Sequence, residues 1–320
     1  MNNKRYYSLN EYCKKSFGDK VYRLSLNGGM SCPNRDGSLS TGGCTFCSEG
    51  GSGDFAASYD LSIVAQISEA KTRIQQKTDC NKFIAYFQAY TNTYAPIDYL
   101  RRIYTEALSE PDVVALSIGT RCDCLSKEVL DLLEDLKHTE FPAIVDGIYA
   151  KLRKPIWIEL GLQTIHNATH ARLNTHTTVE LFDSAAANLV AHDIPVIAHV
   201  ILGLPGETKE MMLETVSHVA ALPVAGIKLQ LLHIQKGTKL AFEYEAEPFP
   251  LFELEEYCDF VIDCLEILPP DMVIHRLTGD GPRSLLIAPL WSTDKKRVLN
   301  TINKRLAERD TWQGKHFMIP

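Results

Sequence analysis

The chain has 320 residues, of which 45% are hydrophobic and 23% charged, and its formal net charge is −7. A chain of this length and composition buries enough surface to fold without disulfides or structural metals. Disordered, collagen-like and small disulfide-rich proteins are therefore excluded. No apolar run reaches the roughly 20 residues of a membrane helix and the N-terminus has no apolar signal core, so we expect a cytoplasmic protein with no membrane partner.

Apolar strand-like runs alternate with longer runs of helical period. Strands are predicted at 21–26, 82–88, 113–118, 156–160, 195–202 and 226–232. Helices are predicted at 60–78, 96–109, 126–138, 178–193, 207–222, 252–266 and 293–309. Repeated β-α units indicate a parallel sheet with right-handed crossovers, and six units are too few for a closed eight-stranded barrel. We therefore predict an α/β fold, a partial (β/α)6 TIM-type barrel with an N-terminal extension and a C-terminal helical extension.

Charge is distributed unevenly along the chain. Residues 1–24 carry a net charge of +4 and residues 272–320 carry +5, which leaves −16 for the residues between them. We predict a basic and aromatic N-terminal extension over 1–24, a barrel over 25–235, and a C-terminal extension over 236–320 that closes the barrel mouth. Aromatic side chains stack on bases and basic ones neutralise phosphates, so both ends are RNA-contact candidates. Solvated charges on a terminal cap and a helix explain the same pattern.

Three of the nine cysteines, Cys32, Cys44 and Cys47, form a C-x11-C-x2-C pattern in a glycine-rich loop after the first strand. In a reducing compartment, clustered thiols indicate metal ligands more often than disulfides. Three thiolates are one short of a closed structural site, whereas a three-thiolate [4Fe–4S] cluster keeps one iron open for another ligand. A structural zinc with Cys13, Cys122, Cys124 or a histidine as fourth ligand is an alternative, as is a loop with incidental thiols.

The runs CPNRDG at 32–37 and GGCTFC at 42–47 resemble the cluster loop of radical S-adenosylmethionine (SAM) enzymes. The long first gap differs from the C-x3-C-x2-C of most members. It is similar to the subgroup that contains the elongator catalytic subunit, and the loop resembles bacterial radical enzymes that modify tRNA wobble uridines. The resemblance covers about residues 5–315. It implies a [4Fe–4S] cluster on the three cysteines, SAM cleaved reductively to a 5′-deoxyadenosyl radical, and a reductant such as flavodoxin or ferredoxin.

The resemblance also implies SAM contacts. Phe46 stands where the family often has an aromatic residue beside the adenine, and Arg121, oriented by Asp123, is placed to pair with the methionine carboxylate. Glu159 and Gln163 resemble a Glu and Gln pair that contacts the ribose hydroxyls. The methionine amino group and the adenine edge have further candidate contacts, which are Gln88, Tyr90, Asn92, Leu204 and Gly206. Each of these residues has a structural explanation as well, as a loop contact, a turn or an ion pair at the rim.

For the substrate, the resemblance favours tRNA, with conversion of a carboxymethylaminomethyl group on the wobble uridine to aminomethyl. Five basic residues near the C-terminus are candidate substrate contacts, namely Arg276, Arg283, Lys295, Lys296 and Arg297. Elongator-type acyl transfer would need an acetyltransferase domain, for which this chain has no room. A radical SAM enzyme for a small molecule and a non-enzymatic zinc or iron–sulfur protein are the alternatives.

Overall fold

The structure is a computed structural model that describes residues 5–51, 53–279 and 281–318. Its elements in chain order are α1 (Leu9–Phe17), β1 (Tyr22–Leu26), α2 (Ile63–Gln75), β2 (Phe83–Phe87), α3 (Ile97–Leu108), β3 (Val113–Thr120), α4 (Lys127–His138), β4 (Glu140–Val145), β5 (Ile148–Arg153), β6 (Ile156–Gln163), α5 (Asn167–Arg172), α6 (Val179–Ala191), β7 (Val196–Leu202), α7 (Lys209–Ala221), β8 (Gly226–Leu231), β9 (Ile234–Gln235), α8 (Lys239–Ala246), α9 (Leu254–Glu266), β10 (Val273–Arg276), β11 (Leu286–Ala288) and α10 (Lys295–Glu308).

Seven parallel strands form the main sheet, in the order β1-β2-β3-β6-β7-β8-β10. The sheet closes about half a barrel, so the predicted partial TIM-type fold is confirmed. The predicted number of strands was wrong, because β10 adds a seventh strand from within the segment assigned to the C-terminal extension. This strand has only four residues, and two of them are His275 and Arg276. Its apolar run is therefore too short to be recognised from the sequence.

All seven predicted helices are present, with ends that lie within a few residues of those expected. Side-chain caps mark where five of them begin, since Ser62, Ser126, Thr178, Thr208 and Asp294 each accept a hydrogen bond from a backbone N–H of the first turn. The antiparallel β4–β5 hairpin, the β9–β11 pair and helices α1, α5 and α8 were not predicted. Within the described ranges no helix is long and apolar enough to cross a membrane.

Helix α1 closes the end of the barrel at which the strands begin. It starts with a capping box between Ser8 and Glu11, and it buries Cys13 in an apolar cluster with strand residues that include Ile84 and Trp157. The Lys82 ammonium, just before β2, donates to the Phe17 carbonyl at 2.6 Å and fixes the end of the helix. The basic N-terminal segment therefore lies opposite the strand ends that carry the cysteine loop, and Arg5 pairs there with Asp310 of the C-terminal segment at 2.9 Å.

Substitution of Trp157 tests whether α1 packs on this end of the barrel. Trp157 is 3% exposed and packs edge-on against Tyr12 of α1 and His275 of β10. We expect Trp157→Ala to lower the free energy of unfolding by about 3–5 kcal/mol, through lost burial and the cavity it creates. Urea unfolding followed by far-ultraviolet circular dichroism measures the change. Trp312→Ala, at a half-exposed position, is the control and should change stability by about 0.5 kcal/mol or less. Equal effects of the two substitutions would contradict the packing role.

Candidate active site

A cavity of about 1140 Å³, counting its open mouth, lies at the carboxyl end of the sheet. The three predicted ligands Cys32, Cys44 and Cys47 line one wall, which we call the thiol wall. Strand ends supply the facing surface, where Gly119 and Gly161 leave room because neither carries a side chain. Parallel barrels bind their ligands at this end, and the sequence predicted the site there.

The thiol wall is anchored to the loop that follows α5. The Asn34 side-chain amide donates to the Asn174 carbonyl at 2.6 Å and to the Cys44 sulfur at 3.4 Å, and Asn174 donates back to the Gly43 carbonyl at 2.9 Å. Arg35 donates to the carbonyls of Cys47 and Ser48. Gly43 has a φ of +75°, and a Cβ there would lie 2.7 Å from the Arg35 guanidinium. A side chain at this position would therefore disturb both the turn and its anchor.

Hydrogen bonding and nearby cations favour a thiolate on this wall. A hydrogen bond from Cys47, opposed by burial and helped by Arg121 and Asn34, lowers the pKa of Cys44 to about 7. The same hydrogen bond, together with burial, raises the pKa of Cys47. Soft thiolates compensated by guanidiniums suit an anionic iron–sulfur cluster, so the residues fit a [4Fe–4S] group with Cys32, Cys44 and Cys47 as its ligands.

The structural zinc alternative lacks a fourth cysteine. Cys13 lies at the opposite end of the barrel, and Cys122 and Cys124 line a separate surface groove between α4 and α6. Burial raises the pKa of Cys122 to about 11, so this thiol holds its proton at neutral pH. In the part of the chain that the structure describes, no three His, Cys, Asp or Glu side chains converge as ligands of a single metal ion. Tetrahedral zinc requires such convergence, whereas a cluster spreads three thiolates over three irons.

Six of the predicted SAM contacts line the cavity, and these are Phe46, Gln88, Tyr90, Arg121, Glu159 and Gln163. Asp123 pairs with Arg121, and its two carboxylate oxygens accept from Nε at 2.8 Å and from Nη2 at 2.7 Å. The third nitrogen of Arg121 donates to the Thr175 carbonyl at 2.9 Å. The guanidinium is thus fixed at the cavity wall, and its pairing with a methionine carboxylate stays a prediction.

Three other predicted SAM contacts do not reach the cavity. Asn92 is fully buried, and its amide donates to the Gly119 carbonyl at 2.8 Å, so it braces the end of β3. Leu204 and Gly206 line a separate pocket between the starts of α7 and α9. The reason is that the chain turns outward at Gly203, whose φ is +91°, and carries Leu204 into an apolar cluster. From β7 itself, Val200 and Ile201 line the cavity instead.

Glu159 lies at the bottom of the cavity, where its carboxylate has no exposed surface. One oxygen accepts from Ser117 Oγ at 2.9 Å, and the other contacts Lys228 Nζ and lies 3.0 Å from His199 Nε2. Burial opposes its ionisation, but Lys228 and Arg23 hold the pKa of Glu159 well below its usual range. Both oxygens are engaged within the protein, which corrects the expectation that they are open to ribose hydroxyls.

Glu159 belongs to a set of inward-facing side chains, one from each strand of the sheet, that we call the polar layer. Its members are Arg23, Tyr86, Ser117, Glu159, His199, Lys228 and Arg276. The sequence analysis did not predict that these residues come together. The available signal was a polar or charged residue inside each mainly apolar strand, such as Lys228 in GIKLQL. Burial, followed by the charge of Lys228, lowers the pKa of His199 to about 4, so its imidazole is neutral at pH 7.

The candidate substrate contacts divide into two groups. Arg276 lines the cavity and donates to Gln230 Oε1 at 3.0 Å. The other four are exposed and do not line it, and these are Arg283, Lys295, Lys296 and Arg297. Two further basic residues, in α10 and directly after it, are neutralised by α9, since Arg305 lies 2.5 Å from Asp259 and Arg309 lies 2.7 Å from Asp263. The basic C-terminal segment therefore presents less free charge than its sequence indicates.

The segment at 278–283 lies beside the cavity, with Asp280 outside the described residues. Gly279 contacts the ring of His233, and Gly281 contacts the amide of Gln235, so closely that a Cβ on either glycine would lie within 2.2 Å of these groups. His233 and Gln235 line a smaller cavity that continues from the main one and shares Arg276 and Gln230 with it. Glycine is therefore required at both positions for this loop to pack there.

The buried pair predicts a large effect on stability. Glu159→Gln leaves the Lys228 ammonium buried without its counter-charge, so we expect the free energy of unfolding to fall by about 3–5 kcal/mol. Adding Lys228→Met removes the unpaired charge and should restore most of the loss. Urea unfolding of both variants measures this, with Glu69→Gln, which breaks the exposed Glu69–Arg73 pair, as a control of about 1 kcal/mol or less. A double variant no more stable than Glu159→Gln would contradict the pairing.

Comparison with known proteins places these features in a family. The family model of the radical SAM superfamily matches residues 39–219, and that of the radical SAM C-terminal domain matches residues 224–308. The chain is 43% identical to the uncharacterized protein YtqA of Bacillus subtilis, over 98% of this chain and 93% of that protein. It is 35% identical to protein YhcC of Escherichia coli, over 92% and 90% of the two chains.

Solved structures agree on the fold. Elp3 of the archaeon Methanocaldococcus infernus aligns with a TM-score of 0.66 at 16% identity, over 92% of this chain and 64% of that one, so this chain spans under two thirds of it. Methylornithine synthase aligns with a TM-score of 0.51 at 11% identity, over 95% and 86%. With three thiols on one wall of a half-barrel cavity and both family models matching in order, the chain belongs to the radical SAM superfamily and is an enzyme that uses a [4Fe–4S] cluster and SAM.

Proposed function

We propose that this radical SAM enzyme acts on tRNA and converts a carboxymethylaminomethyl group on the wobble uridine to aminomethyl. The observation that carries the proposal is the cavity itself, which has the thiol wall on one side and Arg276 with the polar layer below. A short anionic side group on a base fits such a cavity, because it can enter while the nucleotide backbone stays at the mouth. The Elp3 likeness is one of fold, so the tRNA assignment rests on the loop resemblance and on this geometry.

Exposed basic residues stand outside the cavity at the same end of the barrel. Trp291 donates to the Phe252 carbonyl at 3.0 Å, and the Phe252 ring packs beside Gly203 at the end of β7, so the start of α10 lies near the mouth. Lys295, Lys296 and Arg297 are exposed there. Such residues neutralise phosphates without reading sequence, which suits a substrate held by its backbone.

The proposed reaction is a two-electron oxidation that balances without another oxidant. When bound and reduced, the cluster with SAM supplies a 5′-deoxyadenosyl radical. The methylene between the amine and the carboxylate loses two electrons, and water hydrolyses the resulting imine to the aminomethyl product and glyoxylate. These electrons are used to break the sulfonium C–S bond, so 5′-deoxyadenosine, methionine and one proton are the other products. The one electron that the reductant supplies at the start is recovered when the substrate is oxidised, so the reductant is not consumed.

Cluster loading tests the metal assignment. Cys32→Ala, Cys44→Ala and Cys47→Ala should each give a protein that loses most of its iron and its brown colour after anaerobic reconstitution, because each substitution removes one of three ligands. The matched control is Cys124→Ala, which removes a thiol that does not line the cavity and should retain both. Iron analysis and the visible spectrum are the measurements. A colourless parent protein that retains zinc would contradict the cluster assignment.

The substrate assignment is tested with tRNA that carries the carboxymethylaminomethyl group. With SAM and dithionite, the reconstituted enzyme should form aminomethyl uridine, glyoxylate and 5′-deoxyadenosine in equal amounts, measured by mass spectrometry of tRNA digests and of the small products. Unmodified tRNA and the Cys47→Ala variant are the controls, and neither should give product. Formation of 5′-deoxyadenosine with no change in the mass of any tRNA would contradict the tRNA assignment and favour a small-molecule substrate.

A further inference from the structure

The β4–β5 hairpin forms a two-stranded sheet of its own, separate from the main sheet. It joins the end of α4 to the start of β6, so it lies at the end of the barrel where the strands begin, away from the cavity. The buried Lys154 ammonium holds its base by donating to the Leu108 and Glu110 carbonyls, at 2.8 Å each. The Ile144 N–H of β4 donates to the Pro111 carbonyl at 3.2 Å. The hairpin is therefore held at its base and along β4, and β5 is its outer strand.

The outer side of β5 offers backbone groups for pairing with another strand. Successive residues of a strand direct their N–H and C=O groups to opposite sides, and Ile144 directs its N–H away from β5. Its cross-strand partner Tyr149 therefore directs its own backbone groups away from β4, and so do Lys151 and Arg153. We call the backbone groups of these three β5 residues the β5 edge. Among the residues that the structure describes, none makes a backbone hydrogen bond to this edge.

The side chains along the β5 edge include large exposed apolar groups. Ile148 is 71% exposed and Tyr149 is 77% exposed, and Leu152 is exposed as well. Ile148 and Leu152 share one face of the strand, whereas Tyr149 lies on the other face, because side chains alternate along a strand. An exposed apolar edge is a template for pairing with another chain, and charged residues on an edge oppose such pairing. A partner strand must therefore cover the apolar groups and also accommodate Lys151 and Arg153.

We propose that the β5 edge pairs antiparallel with the β5 edge of a second copy of this chain, about a two-fold axis at Ala150. In this register Ile148 of each copy lies opposite Leu152 of the other copy, so the apolar groups cover one another. Tyr149 lies opposite Lys151, and these two residues exchange backbone hydrogen bonds. The Tyr149 ring also offers its face to the Lys151 ammonium. A two-fold axis uses each edge once, so the assembly ends at two copies.

Charge favours this register over its neighbours. Arg153 lies opposite Gly147 of the other copy and beside Asp146, which is exposed. A shift of two residues in one direction places Lys151 opposite Lys151, and like charges that face each other destabilise a sheet. A shift of two residues in the other direction places Leu152 opposite Asp146. A shift of one residue exchanges the two faces of the strand and loses the backbone hydrogen bonds. The edge is therefore complementary to itself in one register.

Sedimentation velocity of the reconstituted full-length enzyme is the first measurement. A seam of two strands is small for a stable interface, so we expect the dimer to form over a range of about 1–200 μM chain. Lys151→Pro should raise the dissociation constant at least tenfold, because it removes an N–H that the two copies share but that points to solvent in a single chain. Lys151→Ala keeps this N–H and is the control, with a change of less than about threefold.

The apolar contact has its own matched pair of variants. Ile148→Asp should also raise the dissociation constant at least tenfold, because it places a carboxylate against Leu152 of the other copy. Leu290→Asp makes the same change at a residue that is 65% exposed and lies outside the hairpin, and it should leave the dimer unchanged. Circular dichroism and iron content that match those of the parent show that each variant is folded and loaded.

A disulfide tests the register. Ala150 lies opposite its own copy in a pair without backbone hydrogen bonds, where the Cα atoms are about 4.5 Å apart and a disulfide fits. Under nitrogen with oxidised glutathione, Ala150→Cys should therefore give a disulfide-linked dimer on a non-reducing gel. Asp146→Cys, an exposed thiol in the same hairpin, is the control, because its two copies lie far apart at opposite ends of the seam. Equal linkage of the two variants would overturn the proposed register.

The pairing does not rest on the proposed function, and both cavities stay open in such a dimer because the hairpins lie at the other end of each barrel. A chain that is monomeric at every concentration would overturn the proposal. A dimer with the same dissociation constant in the parent, in Lys151→Pro and in Ile148→Asp would also overturn it. A monomer whose affinity for unmodified tRNA falls in Tyr149→Ala would overturn it and assign the hairpin to RNA instead.

Discussion

The interior of a half-barrel must be filled at one end and left open at the other, and this constraint governs the structure. The seven strands are parallel, so their carboxyl ends lie together at one end of the half-barrel. This end is left open for ligands, and the opposite end is the one that the chain fills. Helix α1 and the apolar cluster around Trp157 fill that end. The polar layer follows, and above it Gly119 and Gly161 leave the space that becomes the cavity. Along the inside of β6 the residues run from Trp157 through Glu159 to Gly161, and along β3 they run from Ala115 through Ser117 to Gly119.

Charge inside the polar layer is tolerated because it is fully partnered at its centre. Desolvation of a buried ion pair commonly costs as much as the attraction returns, so Glu159 and Lys228 contribute little net stability beyond what an apolar pair would give. What they supply is a fixed arrangement: Ser117 and His199 hold the carboxylate, and Tyr86 lies 3.1 Å from the ammonium. A rigid base of this kind lets the cavity hold a ligand in one orientation, as a precise reaction requires.

Sequence reasoning predicted the fold well and the site only in part, for physical reasons. Long helical periods and near-continuous apolar strands are local patterns, and they indicated the parallel half-barrel and the position of the cysteine loop. Strand β10 was missed because four residues carry too little pattern. Leu204 and Gly206 were predicted to contact SAM, but they line a different pocket. The direction of the chain after β7 depends on the backbone angle φ at Gly203, which the sequence pattern does not specify. Glu159 was found, but its partners lie on other strands and no local pattern joins them.

The distribution of charge along the chain shows the same limit. The sequence places excess positive charge at both ends, yet α1 carries one end away from the cavity and the acidic residues of α9 neutralise part of the other, through Arg305 and Arg309. The charged residues of the polar layer lie one to a strand in mainly apolar strands. The net charge of a long segment does not reveal such single residues. A lysine or arginine inside a buried strand violates the local rule for that position, and such violations are retained where function requires them. In this chain they meet at the bottom of the cavity, below the thiol wall.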